Sequence, residues 1–238
     1  RFIGNRAATR DGTACFYLTG ASGESMFDHC LWSANANSWT GVNNPGDHPS
    51  TATFVINLAN ATDKVDIIGC TMAYNLVDAY KGSGGLSVVK GVARIRDSIF
   101  YGNGRTTGGT GGNDLALQAN GSADIAYSIF TAKPGTYDSI TTVTEGNLTI
   151  DDKTTFFADD GYDPLFVTPL ATAQGYIKTP RNPRRCFAEA DKSAVCNFDL
   201  HIKSPGGYWL NDGTLVKDAE TPTSPALDAG NPTAVYDL

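Results

Sequence analysis

The sequence predicts an all-β domain in which short parallel strands stack in repeated layers. The first observation is a phrase that occurs four times, as FDHCLWSAN, IIGCTMAYN, IRDSIFYGN and IAYSIFTAK, beginning at Phe27, Ile67, Ile95 and Ile125. The second is its spacing: the copies lie 40, 28 and 30 residues apart, an interval typical of solenoid repeats. The third is that the apolar runs are short, rich in β-branched and aromatic residues, and interrupted by Gly, Asn and Asp, which indicates strands.

Three strands are expected in each period of the repeat, at 54–58, 65–68 and 70–72, then at 86–89, 92–95 and 98–101, and then at 115–117, 123–125 and 128–130. Three strands per turn, all running the same way, constitute a parallel β-helix.

Within the phrase, a small residue is followed two positions later by a large apolar one. The small residues are Cys30, Cys70, Ser98 and Ser128, and the large ones are Trp32, Met72, Phe100 and Phe130. Because alternate side chains of a strand share a face, we expect two inward columns whose neighbouring Cα atoms lie about 4.8 Å apart. The cysteines of these columns, with Cys15 before them, are interpreted as packing residues.

A third column consists of Asn35, Asn75 and Asn103, five residues after the small position. Asn tolerates the left-handed backbone of a tight corner, and its amide can bond to the Asn of the next layer. We therefore expect an asparagine ladder.

The fourth copy of the phrase has Lys133 in place of Asn, which indicates that the repeat is ending. We expect residues 1–130 to form the layers and the Pro-rich residues 131–238 to form a cap of the same domain, since an open end of a solenoid needs a cover. The side chains expected to pack on the last layers are Phe156, Phe157, Leu165, Phe166, Phe198 and Leu200.

The phrase ARIRDSIFYGN, the DPLF at Asp163–Phe166 and the closing segment with FDLH and SPALDAGNP resemble a known family. The family is the right-handed parallel β-helix repeat proteins of bacterial surfaces and secreted polysaccharide-active enzymes. The resemblance implies a right-handed parallel β-helix with an irregular C-terminal cap, an extracellular or bacterial cell-surface location, and membership of a larger polypeptide. It does not imply one activity, because the scaffold carries lyases, hydrolases, adhesins and passive stalks.

Composition limits the classes of partner that the chain could bind. The net charge of −7 disfavours nucleic acid as a partner, because phosphate binding needs clustered Lys and Arg. No apolar run reaches the roughly 20 residues of a membrane span. With no CxxC pair or HExxH motif, neither a cofactor nor structural zinc is expected. Calcium stays open at the Asp-rich stretches around Asp151 and Asp159, although solvated turns explain them as well.

Cys186 and Cys196 lie outside the repeats in a polar segment. A disulfide between them would restrict that segment and would fit an oxidising, extracellular compartment. We predict this disulfide.

Segments of uneven length follow the three asparagines, at 36–50, 76–85 and 104–112. Stacking would bring them to one side, where insertions in repeat proteins commonly form a binding face. Side chains suited to a sugar or a protein partner are Trp39, Asp47, His48, Asp78, Tyr80, Lys81 and Arg105. The alternative is that these segments are solvated loops without a ligand.

Four charged residues, Asp66, Arg94, Arg96 and Asp124, precede the small column and should face outward. In the β-helix polysaccharide lyases that the chain resembles, a similar face carries calcium-binding carboxylates and a base that removes a proton from uronate. These four are therefore the candidate catalytic residues. The sequence favours the alternative, an ion-pair ladder that avoids like-charge repulsion between strands.

These patterns favour an adhesive or structural surface module that contacts a glycan or a surface protein through its loop side. The alternative is the C-terminal part of a polysaccharide lyase or glycoside hydrolase, and a third reading is a spacer in a larger assembly. Two carboxylates roughly 5 to 9.5 Å apart in a cleft would favour a hydrolase.

Overall fold

The computed structural model describes residues 1–3, 5–7, 15–37, 52–77, 83–105, 113–134, 140–142, 147–164, 166–168, 199–202, 208–209 and 215–216. The first strands are β1 (Phe2–Ile3), β2 (Arg6–Ala7), β3 (Phe16–Thr19), β4 (Glu24–Asp28), β5 (Leu31–Ser33), β6 (Ala36–Asn37), β7 (Ala52–Asn57), β8 (Lys64–Ile68), β9 (Thr71–Ala73), β10 (Leu76–Val77) and β11 (Ser83–Arg96). The later strands are β12 (Ile99–Tyr101), β13 (Gly104–Arg105), β14 (Leu115–Ala126), β15 (Ile129–Phe130), β16 (Ile140–Thr142), β17 (Asn147–Ile150), β18 (Phe156–Phe157), β19 (Phe166–Thr168), β20 (Asp199–Ile202), β21 (Tyr208–Trp209) and β22 (Leu215–Val216). A 3-10 helix covers Ala158–Asp160.

The strands up to β18 pair in parallel and form three sheets. Sheet A has the order β1-β5-β9-β12-β15-β18, sheet B has the order β13-β10-β6-β2, and sheet C contains β3, β4, β7, β8, β11, β14, β16 and β17. Two antiparallel pairs follow, β19 with β20 and β21 with β22. The predicted all-β class with parallel strands is confirmed.

The register of sheet A matches the repeated phrase. Trp32 pairs with Met72, Met72 with Phe100, and Phe100 with Phe130, so the predicted column of large apolar residues is confirmed. All four side chains are fully buried. Burial of each such side chain contributes roughly 1.5–3 kcal/mol.

The column is longer than predicted. Phe2 pairs with Trp32 at one end, and Phe157 pairs with Phe130 at the other. The Phe2 and Trp32 rings stack with centroids 5.5 Å apart. Parallel pairing therefore continues past residue 130, where the repeat was expected to end.

Sheet C supplies the opposite wall of the core. One inward column runs through Phe16, Phe54, Leu86, Leu115 and Ile140. A second runs through Phe27, Ile67, Ile95, Ile125 and Ile150. Together with the sheet A column they make one continuous apolar cluster.

Two strands of sheet C are longer than predicted. The sequence predicts separate strands at 86–89 and 92–95, but β11 is continuous, and β14 likewise joins the two strands expected at 115–117 and 123–125. The chain bends at a register shift between Val88 and Lys90 instead of ending the strand. Gly91, with φ of 110°, permits the bend, and a Cβ there would lie 2.6 Å from Leu58 Cδ1.

The left-handed residue at the asparagine corner is not the Asn, contrary to the sequence-based expectation. Positive φ values occur one residue earlier, at 54° for Ala34, 58° for Tyr74 and 62° for Gly102. Asn35 and Asn75 instead donate their backbone N–H and their side-chain amide along the stack, and Asn103 donates its side-chain amide. The residue before each Asn therefore makes the turn. The small column is built in the same way, because left-handed residues precede it at His29, Gly69, Asp97 and Tyr127.

The segments expected to be loops from residues 36, 76 and 104 begin as strands. Their first two residues are β6, β10 and β13, which pair in sheet B. Gly84 and Gly85, expected in the second of these segments, belong to β11. The segments predicted to form the binding face therefore begin two residues later than expected, after Asn37, Val77 and Arg105.

Of the residues expected in the cap, Phe157 belongs to the sheet A column and Phe166 is buried. Phe156 packs against Tyr162 with ring centroids 4.7 Å apart and the rings tilted by 37°. Leu200 lies in β20, and Leu165 and Phe198 lie outside the described residues.

Candidate functional site

A row of asparagines runs along one corner of the stack. Asn35 donates its backbone N–H and its Nδ2 amide to Asn75 Oδ1, at 3.0 and 2.8 Å. Asn75 makes the same two bonds to Asn103 Oδ1, at 3.1 and 2.9 Å. Asn5 extends the row at its start with bonds of 2.9 and 3.0 Å to Asn35 Oδ1. The three residues predicted to stack therefore do so, and a fourth joins them.

A buried carboxylate ends this row. Asp114, which is fully buried, accepts from Asn103 Nδ2 through Oδ1 at 2.8 Å and from the Thr131 backbone N–H through Oδ2 at 3.0 Å. It therefore takes the place of the asparagine that the fourth repeat lacks. Sequence reasoning missed Asp114, although the Lys133 substitution signals that the last amide needs another acceptor.

The small column forms a second row of hydrogen bonds. Backbone N–H groups of Cys30, Cys70 and Ser98 donate to Cys70 Sγ, Ser98 Oγ and Ser128 Oγ at 3.4, 3.1 and 3.2 Å. Cys70 and the serines also donate to the carbonyl two residues earlier. These side chains therefore form hydrogen bonds with backbone groups at the corner in addition to packing in the core. Both roles suit Cys and Ser, the two residue types in the small column.

The described cysteines, Cys15, Cys30 and Cys70, are free thiols. Burial raises the pKa of the Cys70 and Cys15 thiols to about 12. A thiol with such a pKa stays protonated and unreactive at neutral pH. The interpretation of these residues as structural is thus supported by their surroundings.

The four candidate catalytic residues meet on the outer face of sheet C as ion pairs. Arg94 is the register partner of both Asp66 and Asp124. Its Nε and Nη2 atoms lie 2.5 Å from the two oxygens of Asp66, and Arg96 Nη2 lies 2.5 Å from Asp124 Oδ2. Glu24 approaches Arg94 at 3.4 Å. Opposite charges therefore alternate across the strands, as the ion-pair interpretation expects.

The pairing limits the chemistry that Arg94 can perform. The hydrogen bonding that Arg94 donates to Asp66 raises the pKa of the Arg94 guanidinium, and the charges of Asp66, Glu24 and Asp124 raise it further. A guanidinium held in its protonated form cannot remove a proton from a substrate. It can still pair with a carboxylate ligand. In the described ranges, no group of three or more His, Cys, Asp and Glu side chains is arranged to hold a metal ion.

Most of the predicted ligand-binding residues lie outside the described part of the chain, namely Trp39, Asp47, His48, Asp78, Tyr80 and Lys81. The two cysteines of the predicted disulfide, Cys186 and Cys196, also lie outside it. Arg105 is the last residue of β13.

The described ends of the predicted binding segments are nevertheless informative. Asn37, Val77 and Arg105 are the last residues of β6, β10 and β13 and are partners in the register of sheet B. Ala52 and Ser83, where the chain enters sheet C again, are also register partners. The segments at 38–51, 78–82 and 106–112 therefore leave sheet B from neighbouring positions.

An aromatic cluster that sequence reasoning missed joins the later chain to sheet A. Phe166 packs against Tyr74 and Tyr101, with ring centroids 6.1 and 5.8 Å apart. The Tyr101 hydroxyl donates to Asp163 Oδ2 at 3.1 Å, and burial raises its pKa to about 12. The cluster holds Asp163 and Phe166 beside the outer face of sheet A.

No helix in the described residues is both long enough and apolar enough to cross a membrane. No protein-family model, curated protein or solved structure matches the chain. The family resemblance noted in the sequence stays a prediction.

Proposed function

We propose that this chain is a right-handed parallel β-helix module of an extracellular or bacterial cell-surface protein, and that it binds an extended glycan on the side where the corner segments emerge. The observation that carries the proposal is the shared register of Asn37, Val77 and Arg105, from which three segments leave the stack in succession. Neighbouring strands lie roughly 4.8 Å apart, so consecutive segments would meet consecutive parts of an elongated ligand.

Several features support a solenoid. Successive repeats add one strand at a time to sheets A and B in the same order, and the inward columns of sheets A and C enclose one apolar cluster. The two corner rows of hydrogen bonds link each repeat to the next. The right-handed winding and the secreted location come from the family resemblance.

The residue types on these segments suit a sugar. Trp39 and Tyr80 offer flat aromatic faces on which sugar rings pack. Lys81 and Arg105 can pair with carboxylates of an acidic glycan, whereas the net charge of −7 repels such a chain elsewhere. Asp47 and His48 add hydrogen-bonding groups for hydroxyls.

A glycan array probed with the wild-type chain and a Trp39→Ala/Tyr80→Ala variant tests the proposal. We expect the variant to lose binding at an unchanged melting temperature. A Tyr162→Ala variant is the matched control, because Tyr162 is an exposed aromatic residue in a different region. If the chain binds a surface protein and no glycan, that protein would take the place of the glycan as the proposed ligand. Binding of neither would leave the spacer role.

The second candidate function is the C-terminal part of a polysaccharide lyase or glycoside hydrolase. It is favoured by the arrangement of Asp66, Arg94, Arg96 and Asp124 on one outer face. Incubation with uronate polymers and neutral polysaccharides tests it. Unsaturated products would indicate a lyase, and new reducing ends without unsaturation would indicate a hydrolase. In either case we expect Asp66→Asn or Asp124→Asn to abolish the activity.

A further inference from the structure

The chain contains three triplets of the form Asn-x-Ser/Thr, which is the acceptor pattern for N-linked glycans. They begin at Asn60, Asn120 and Asn147. A chain rich in Asn, Thr and Ser contains such triplets by chance, so the pattern alone does not assign a modification. Only an asparagine that the fold exposes can carry a glycan, because the attached sugar is bulky and hydrated.

Exposure divides the asparagines of the described residues into two groups. Four of these ten asparagines are exposed, and the three that begin acceptor triplets are all among the four. The other six are buried or half-buried, and none of them begins a triplet. These six include the buried row of Asn35, Asn75 and Asn103, whose side-chain amides are used in hydrogen bonds. Within the described residues, acceptor triplets therefore occur only where a glycan would not disrupt the core.

The three exposed acceptors also share one corner of the stack, which we call the bend corner. At this corner residues 58–63 connect β7 to β8, and β11 and β14 bend without ending. Asn60 lies in the connecting turn, and Asn120 is the register partner of Lys90 at the bend. Asn147 is the first residue of β17, which pairs with the part of β14 after the bend. Three layers of the stack therefore carry an acceptor asparagine at the same corner.

The geometry of the side chains is compatible with an attached sugar. In β17, Leu148 and Ile150 pack against the core, so Asn147 points outward. Asn60 Nδ2 donates a hydrogen bond to Asp63 Oδ2 at 3.0 Å. An amide that carries a sugar keeps one N–H, so this hydrogen bond does not prevent the modification.

The bend corner is separated from the segments that were proposed to bind a ligand. Strand β7 begins at Ala52, directly after the segment at 38–51, and ends at Asn57 beside the bend corner. A strand of this length spans roughly 17–20 Å. Glycans at the bend corner would therefore leave the proposed ligand side open.

We propose that Asn60, Asn120 and Asn147 are acceptor sites for N-linked glycans that line the bend corner. The donor is an oligosaccharide linked to a polyprenyl diphosphate. The Asn Nδ2 atom forms a bond to the anomeric carbon of the first sugar and loses one proton. The bond between that carbon and the diphosphate oxygen breaks, and the polyprenyl diphosphate leaves. This inference shares with the proposed function only the export of the chain, and it does not require a glycan ligand.

Secretion of the whole chain from cells that contain an oligosaccharyltransferase tests the proposal. A C-terminal tag with one acceptor triplet, joined through a flexible linker, reports that the chain has met the enzyme. Peptide mapping by mass spectrometry, before and after enzymatic removal of N-linked glycans, locates the modified residues. We expect glycans on all three asparagines and the same melting temperature before and after their removal.

Variants of the triplets supply the controls. Thr62→Ala, Ser122→Ala and Thr149→Ala remove the acceptor hydroxyl, and each should abolish the glycan of its own triplet alone, whereas Thr62→Ser should retain it. If a variant does not fold, the map of the wild-type chain decides. A bare asparagine in chains whose tag is modified would overturn the assignment of that residue. Glycosylated chains that no longer melt cooperatively would also overturn the proposal, because the glycans would then be incompatible with the fold.

Discussion

Asn75 donates both its backbone N–H and its side-chain amide to Asn103 Oδ1, at 3.1 and 2.9 Å. Its other amide hydrogen goes to the Trp32 carbonyl at 3.0 Å, and its own Oδ1 receives two bonds from Asn35. The whole bonding capacity of this buried side chain is therefore used. A residue in this situation fixes the alignment of three successive repeats.

Replacing Asn75 by Leu should destabilise the fold strongly. The change leaves the buried N–H groups of Asn35 without an acceptor and Asn103 Oδ1 without its side-chain amide donor. Each unsatisfied buried group costs about 1–3 kcal/mol. We expect the free energy of unfolding in urea to fall by about 3 kcal/mol or more. The exposed Asn120→Ala should change it by no more than about 0.5 kcal/mol. Similar values for both variants would show that the row is not structurally important.

The Cys70 thiol should make stability depend on alkaline pH. Burial raises its pKa from 9.0 to about 12 in the folded chain, so the folded state keeps a proton that the unfolded state loses above pH 9. The thiol's stabilising contribution is therefore complete below pH 9 and is lost between pH 9 and about pH 12. We expect the free energy of unfolding to fall less between pH 9 and about pH 12 in Cys70→Ser than in the wild-type chain. The serine retains the corner hydrogen bonds but does not ionise in this range. Parallel pH profiles would refute this role.

The ion pair between Arg94 and Asp66 should contribute only modestly to stability. Their side chains are 30 and 21% exposed, and pairs at a solvated surface are typically worth about 0.2–1 kcal/mol. A double-mutant cycle with Arg94→Ala and Asp66→Ala should give a coupling energy in this range that decreases with added salt. A coupling energy of zero at low salt would mean that the pair has no structural role and would strengthen the case for a ligand.

The disulfide between Cys186 and Cys196 remains a prediction from the sequence. Material secreted into an oxidising compartment should contain it, while Cys30 and Cys70 stay reduced. Mass spectrometry of an alkylated digest prepared without reductant distinguishes the two groups. Carbamidomethyl groups on both Cys186 and Cys196 would contradict the prediction.

The sequence predicted the inward columns and the asparagine row because strand periodicity and residue size repeat visibly at Trp32, Met72 and Phe100. It did not predict Phe2 and Asn5 as an earlier layer, although their three-residue spacing matches that of Trp32 and Asn35. Only the second half of the phrase is visible there, so the pattern is too short to recognise.

Other features were hidden because they depend on tertiary contacts. Asp114 lies eleven residues after Asn103, and only the folding of β14 beside the corner brings its carboxylate to that amide. The left-handed conformation of Tyr74, with φ of 58°, goes against the preference of a bulky residue and has no sequence signal. The continuity of β11 depends on Gly91, which in sequence indicates a break as readily as a bend.

A crystal structure of the chain is the most direct test of the proposed parallel β-helix. We predict right-handed winding, with Asn35, Asn75 and Asn103 stacked at Cα spacings of about 4.8 Å and the segments at 38–51, 78–82 and 106–112 emerging on the same side. Left-handed winding, or neighbouring asparagines more than about 9.6 Å apart, twice the strand spacing, would contradict it.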